Sequence, residues 1–125
     1  MPSVLDLFSL RGRTALLTGA ARGIGVALAL ALAEAGADIV LIQRDASNTS
    51  TKEAIEKVGR KATIYEADLA DRAQLHAVFP TIVGDGHDVD ILVNCGGIQR
   101  RHPAETFPDD AWDDVSTTSA AHSFD

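Results

Sequence analysis

Apolar residues come in short runs with polar breaks between them, and the runs are of two kinds. Arg13 to Leu17 and Asp38 to Ile42 are brief and apolar, the second β-branched as well, which suits parallel strands covered on both faces. Ala62 to Tyr65 and Val89 to Val93 read as a third and a fourth strand. Helical segments fall between them: Gly23 to Ala35, Lys52 to Val58 and Asp71 to Val83. Gly36 and Gly59 stand where the first two should stop. The polar stretch Ser47 to Thr51 offers caps for the second, and Pro80 is expected to kink or shorten the third. Gly84-Asp85-Gly86 is a turn, and Pro108-Asp109-Asp110 opens a fourth helix with Trp112 and Val115 on its apolar side.

Strand–helix alternation at this spacing requires right-handed crossovers and a parallel sheet. The predicted fold is α/β: a partial Rossmann, doubly wound fold with four parallel strands in the order 3-2-1-4.

Composition narrows the function. A chain of 125 residues is one domain, and 46% hydrophobic residues is too many for a disordered one. A net charge of −7 argues against nucleic acid or an anionic membrane as partner. Cys95 is the single cysteine, so no internal disulfide forms and a reducing compartment fits. Asp6 interrupts the partly apolar start and no basic residue precedes it, so no signal peptide is expected. No apolar run approaches the ~20 residues of a membrane span. The expected location is cytoplasmic.

The chemistry concentrates in Thr18-Gly19-Ala20-Ala21-Arg22-Gly23-Ile24-Gly25, between the first strand and the first helix. Glycines let the backbone turn tightly and approach a phosphate, and the helix N-terminus supplies N–H groups and a positive dipole end. The spacing is neither GxGxxG nor a P-loop. It resembles the short-chain dehydrogenase/reductase signature TGxxxGIG. Three further places agree with that family. Asp68-Leu69 follows the third strand, Asn94-Cys95-Gly96-Gly97 resembles the family's NNAG, and Asp6-Leu7-Phe8 through Thr14-Ala15 resembles its usual lead into the first strand. The resemblance runs from about Asp6 to Val115, and residues 97–115 look like the sugar-acid branch, closest in pattern to 2-deoxy-D-gluconate (2-keto-3-deoxygluconate) 3-dehydrogenases.

The resemblance implies a nicotinamide dinucleotide held by Gly19, Arg22, Gly23, Ile24, Gly25, Arg44, Asp68, Leu69, Asn94 and Gly96, with Asp68 against the adenine. Cys95 and Gly96 depart from NNAG by small changes of volume. Where NAD-preferring proteins place a carboxylate at the end of the second strand, this chain has neutral Gln43 followed by Arg44, and Arg22 adds a second cation. NADP(H) is therefore expected over NAD(H), with Asp45 as the residue that would favour NAD. Arg100-Arg101 would suit an anionic sugar acid. His102 has no second ligand nearby and no metal role is assigned.

The family's catalytic Ser, Tyr and Lys, and the Asn of its fourth helix, have no counterpart. The only tyrosine is Tyr65, with no Lys four residues on. No catalytic residue is assigned. The expectation is the N-terminal half of such an enzyme over residues 1–115, with the C-terminal half missing and the chain inactive alone. Residues 116–125 read as an atypical, disordered tail. Another reading frame of that tail, with freely chosen codons, can give Tyr-Asn-Leu-Ser-Ser-Pro-Phe-Val-Arg, closer to the family pattern and in keeping with a truncated product. A non-catalytic nucleotide-binding fragment, or one docking on a full-length relative, is the alternative. An open fourth-strand edge would make such a domain marginal.

Overall fold

A computed structural model describes residues 3–21, 23–96, 103–106, 108–110 and 112–113. Strands β1 (Thr14–Thr18), β2 (Asp38–Gln43), β3 (Ala62–Glu66) and β4 (Ile91–Asn94) alternate with helices α1 (Ile24–Glu34), α2 (Ser50–Lys57) and α3 (Arg72–Gly84). The strands form one parallel sheet in the order β3-β2-β1-β4, as the alternation predicts.

Period-two alternation divides each strand between two cores. Ala15, Leu17, Ile39 and Leu41 face the side where Ala29 and Ala33 of α1 and Ile55 of α2 pack. Leu16, Val40 and Ile42 face the opposite side, against Leu75, Val78 and Ile82 of α3. Alanines on the inner side of α1 bring the helix close to the sheet. β1 and β2 have helices on both faces, which explains their nearly continuous apolar sequences.

The helix ends share one mechanism. Gly36 and Ala37 donate to Ala33 and Leu32; Gly59 and Arg60 donate to Glu56 and Ile55; Gly86 and His87 donate to Val83 and Ile82. These are the paired bonds of the Schellman motif, with a glycine of positive φ at each stop. Asp71 caps α3, accepting from the Ala73 and Gln74 amides.

Two expectations are refined and one element is added. α3 continues past Pro80 to Gly84, and the fully buried Ile82 in that last turn offsets the amide Pro80 cannot supply. β4 begins at Ile91 rather than Val89, because the Asp90 carboxylate and amide bond the Thr14 amide and carbonyl. A 3-10 helix, Val4–Phe8, precedes β1; Ser3 and Asp6 close it with a capping box, and Val4, Leu5, Leu7 and Phe8 stand exposed. Beyond β4, Ala104–Thr106 forms one 3-10 turn. Asp109, Asp110, Trp112 and Asp113 are helical, where the fourth helix is expected. Val115 and the tail 116–125 lie outside the described residues.

Candidate functional site

β1 is the strand where the order reverses: β2 pairs on one side of it and β4 on the other. The turns leaving β1 and β4 therefore diverge from a common point, and Thr18 is the register partner of Asn94. Ligands of open α/β sheets bind in the crevice at such a point.

The segments leaving β1 and β4 pack backbone against backbone there, and Leu69, after β3, lies over Gly96. A Cβ on Gly19 would lie 2.6 Å from the Gly96 nitrogen and 2.7 Å from the Cys95 carbonyl atoms. One on Gly25 would fall on the Gly19 oxygen, and one on Gly96 on Leu69 Cδ1. Gly19 and Gly23 also have φ of +67° and +64°, a region open to glycine. The fully buried Thr18 hydroxyl accepts from the Cys95 and Gly96 amides at 3.2 and 3.1 Å, locking the β1 and β4 ends together. Gly23 caps α1, and no side chain bonds that helix's first amides. Gly19, Gly25, Leu69 and Gly96 are thus packed close together at this point, with Asn94 at the end of β4 and Gly23 and Ile24 at the start of α1. Arg22, Gly97, Arg100, Arg101 and His102 lie outside the described residues.

The end of β2 forms a second part of the site. Gln43 is 4% exposed, and its amide nitrogen donates to the carbonyls of Asp45 at 3.1 Å and Asn48 at 2.9 Å. Its buried Oε1 has no partner among the described residues. Sequence reasoning valued Gln43 for its neutrality; the structure adds its role as a latch on the loop leading to α2. Asp45 turns its carboxylate onto the Ser47 hydroxyl and amide at 2.6 and 2.9 Å, which holds its pKa below the usual value. Arg44 is exposed, with Nε 4.0 Å from Asp68. The other Asp68 oxygen accepts from the Ala70 amide.

Tyr65 lies outside this crevice chemistry. Its hydroxyl donates to Asp85 at 2.6 Å and its ring meets His87 edge-on at 5.9 Å. Burial, and then the Asp85 carboxylate, push its pKa up to about 12. A phenol tuned for proton transfer at neutral pH is shifted the other way.

The family model for short chain dehydrogenases matches residues 13–124. The chain belongs to the short-chain dehydrogenase family. Among curated relatives of this family, gluconate 5-dehydrogenase of Gluconobacter oxydans (strain 621H) is 44% identical over 115 residues, covering 91% of this chain and 45% of the relative. The 2-dehydro-3-deoxy-D-gluconate 5-dehydrogenase of Pseudoalteromonas atlantica is 40% identical over 114 residues, covering 90% and 45%. A crystal structure of a gluconate 5-dehydrogenase from Burkholderia cenocepacia J2315, in complex with NADP and tartrate, superposes with a TM-score of 0.85. It is 39% identical, over 93% of this chain and 46% of that one. The chain thus spans slightly less than half the length of these relatives. By name they act at carbon 5, whereas the sequence resemblance is to 3-dehydrogenases of the same sugar-acid branch. Short-chain dehydrogenases bind NAD(P), and Gly23, where an added Cβ meets nothing within 4 Å, leaves the start of α1 open to such a ligand. No described helix is long and apolar enough to cross a membrane.

Proposed function

We propose that residues 1–115 are the dinucleotide-binding half of an NADP(H)-preferring short-chain oxidoreductase acting on a secondary alcohol or ketone of a sugar acid. The observation that carries this reading is the glycine turn, packed backbone to backbone at Gly19 and Gly25 and open at Gly23, beside an α1 N-terminus that no described side chain caps. Gly19, Gly23, Ile24 and Gly25 would face the pyrophosphate, Asp68 and Leu69 the adenine, and Asn94 and Gly96 the nicotinamide-side backbone. A bound dinucleotide supplies the hydride donor or acceptor; this chain's residues bind and orient it.

Three features support NADP(H). Gln43 brings no charge, Arg44 is 83% exposed at its side chain, and the Asp45 carboxylate is engaged by Ser47. A guanidinium beside a 2′-phosphate makes charge-assisted bonds, with Arg22 as a second cation. The sugar-acid substrate rests on the names of the relatives and on Arg100-Arg101. With Tyr65 tied to Asp85 and no Tyr-x-x-x-Lys in the sequence, the 125-residue chain binds without turning over. A cytoplasmic setting fits its single cysteine.

The test is calorimetric titration with NADP+ and NAD+ beside a turnover assay with gluconate. Tighter NADP+ binding, lost in Arg44→Gln, without turnover supports the reading. Equal affinities overturn the preference, absence of binding overturns the cofactor reading, and turnover overturns the inactivity. A second reading, a partner-docking fragment, draws on the side of β4 that pairs with no described strand, and is supported if a full-length relative binds the chain through that edge.

A further inference from the structure

Thr51 sits in the first turn of α2, where the sequence offers it as a cap. It caps nothing: the cap position is Thr49, and Thr51 is buried. Its hydroxyl reaches back 31 residues to donate to the Ala20 carbonyl at 2.8 Å. Ala20 is the second residue of the glycine turn and is itself fully buried.

A trans peptide is planar, so its C=O and N–H point in opposite directions. No cis bond occurs among the described residues. Fixing the Ala20 oxygen toward α2 therefore sends the Ala21 N–H the other way, away from α2. That N–H donates to no atom among the described residues, and it precedes the start of α1, where no described side chain caps the helix. The position of α2 is in turn set by the loop that Gln43 latches, through the Asn48 carbonyl, and by Asn48 Oδ1, which accepts from the Ser50 amide and hydroxyl.

We propose that Thr51 is a positioning residue for the pyrophosphate: by anchoring the Ala20 carbonyl it aims the Ala21 amide at the bound diphosphate. This rests on the dinucleotide reading above. The chain of contacts also joins the β2 end, where the ribose would lie, to the turn that would hold the phosphates.

The experiment measures ADP and adenosine affinities by ligand-observed NMR for the full chain, Thr51→Val and Thr51→Ser. Valine keeps the shape and removes the donor; serine keeps the donor. One hydrogen bond of this kind corresponds to about a five- to tenfold change in affinity. Thr51→Val should lose that factor for ADP while binding adenosine as before, and Thr51→Ser should recover it. Equal ADP affinity in Thr51→Val overturns the proposal. So does proportional loss of both ligands, failure of serine to rescue, or a valine variant that does not fold, since the hydroxyl then serves the fold instead. If the unsubstituted chain binds adenosine and not ADP, or neither, the dinucleotide reading itself falls.

Discussion

Replacing Gly25 with alanine adds one methyl group to the first turn of α1. In an open helix the change would stabilise by about 1 kcal/mol, because alanine loses less backbone entropy. Here the new Cβ would fall on the Gly19 oxygen and lie 2.8 Å from Ala20 Cα and the Gly19 carbonyl carbon. All three are backbone atoms in a segment that cannot retreat. Gly19 is already wedged against Gly96, and Ala20 is bonded to Thr51. Relief requires moving α1 off the turn, an overpacking cost of about 3 kcal/mol. The net expectation is a loss of about 2 kcal/mol, which for a urea slope of ~2 kcal/mol/M lowers the unfolding midpoint by about 1 M. Gly84→Ala is the internal control: it lies at the end of α3, where an added Cβ meets nothing within 4 Å. Its midpoint should rise slightly. Equilibrium urea unfolding followed by circular dichroism reads both. A Gly25→Ala midpoint equal to or above that of the unsubstituted chain would refute the close packing of turn and helix.

Two other predictions use different parts of the molecule. Tyr65 is the single tyrosine, so absorbance at alkaline pH reports it alone; its midpoint should lie near 12, and Asp85→Asn should bring it down. Because the folded pKa is raised above the usual 10, the contribution of Tyr65 is fully present below pH 10 and fades as pH rises toward 12. The stability gap to Tyr65→Phe should close across that window, and a constant gap would contradict it. Leu92, 39% exposed on the edge strand β4, should promote self-association; Leu92→Lys should reduce it in sedimentation experiments. A monomeric unsubstituted chain that melts cooperatively above ~50 °C would count against a marginal domain.

The strand order could be read in the sequence because β1 and β2 are apolar on both faces and each crossover is long enough for a helix. The glycine turn was legible for a related reason: backbone that must approach backbone admits one residue type. The course of α3 was less so, since the local penalty at Pro80 is offset by Ile82, and that burial depends on the sheet beneath it. The role of Thr51 escaped because its hydroxyl serves a carbonyl 31 residues away, and that of Gln43 because its amide closes a loop whose course the side chain alone does not reveal. A threonine in an opening helical turn reads as a cap until Ala20 is brought beneath it. The Val4–Phe8 turn carried a signal that was available, Ser3 three residues before Asp6, the reciprocal cap found in the structure.

The bond between Thr18 and the Gly96 amide spans 78 residues. During synthesis, β1, α1 and β2 emerge together, yet the wall that Gly96 gives the glycine turn is delayed by the whole stretch from α2 through β4. At ordinary ribosomal rates that interval is about 2 to 9 seconds. The nascent chain therefore passes through a stage with the glycine turn built on one side only and one edge of β1 unpaired. The backbone wall against Gly19 is therefore completed late, only when β4 docks.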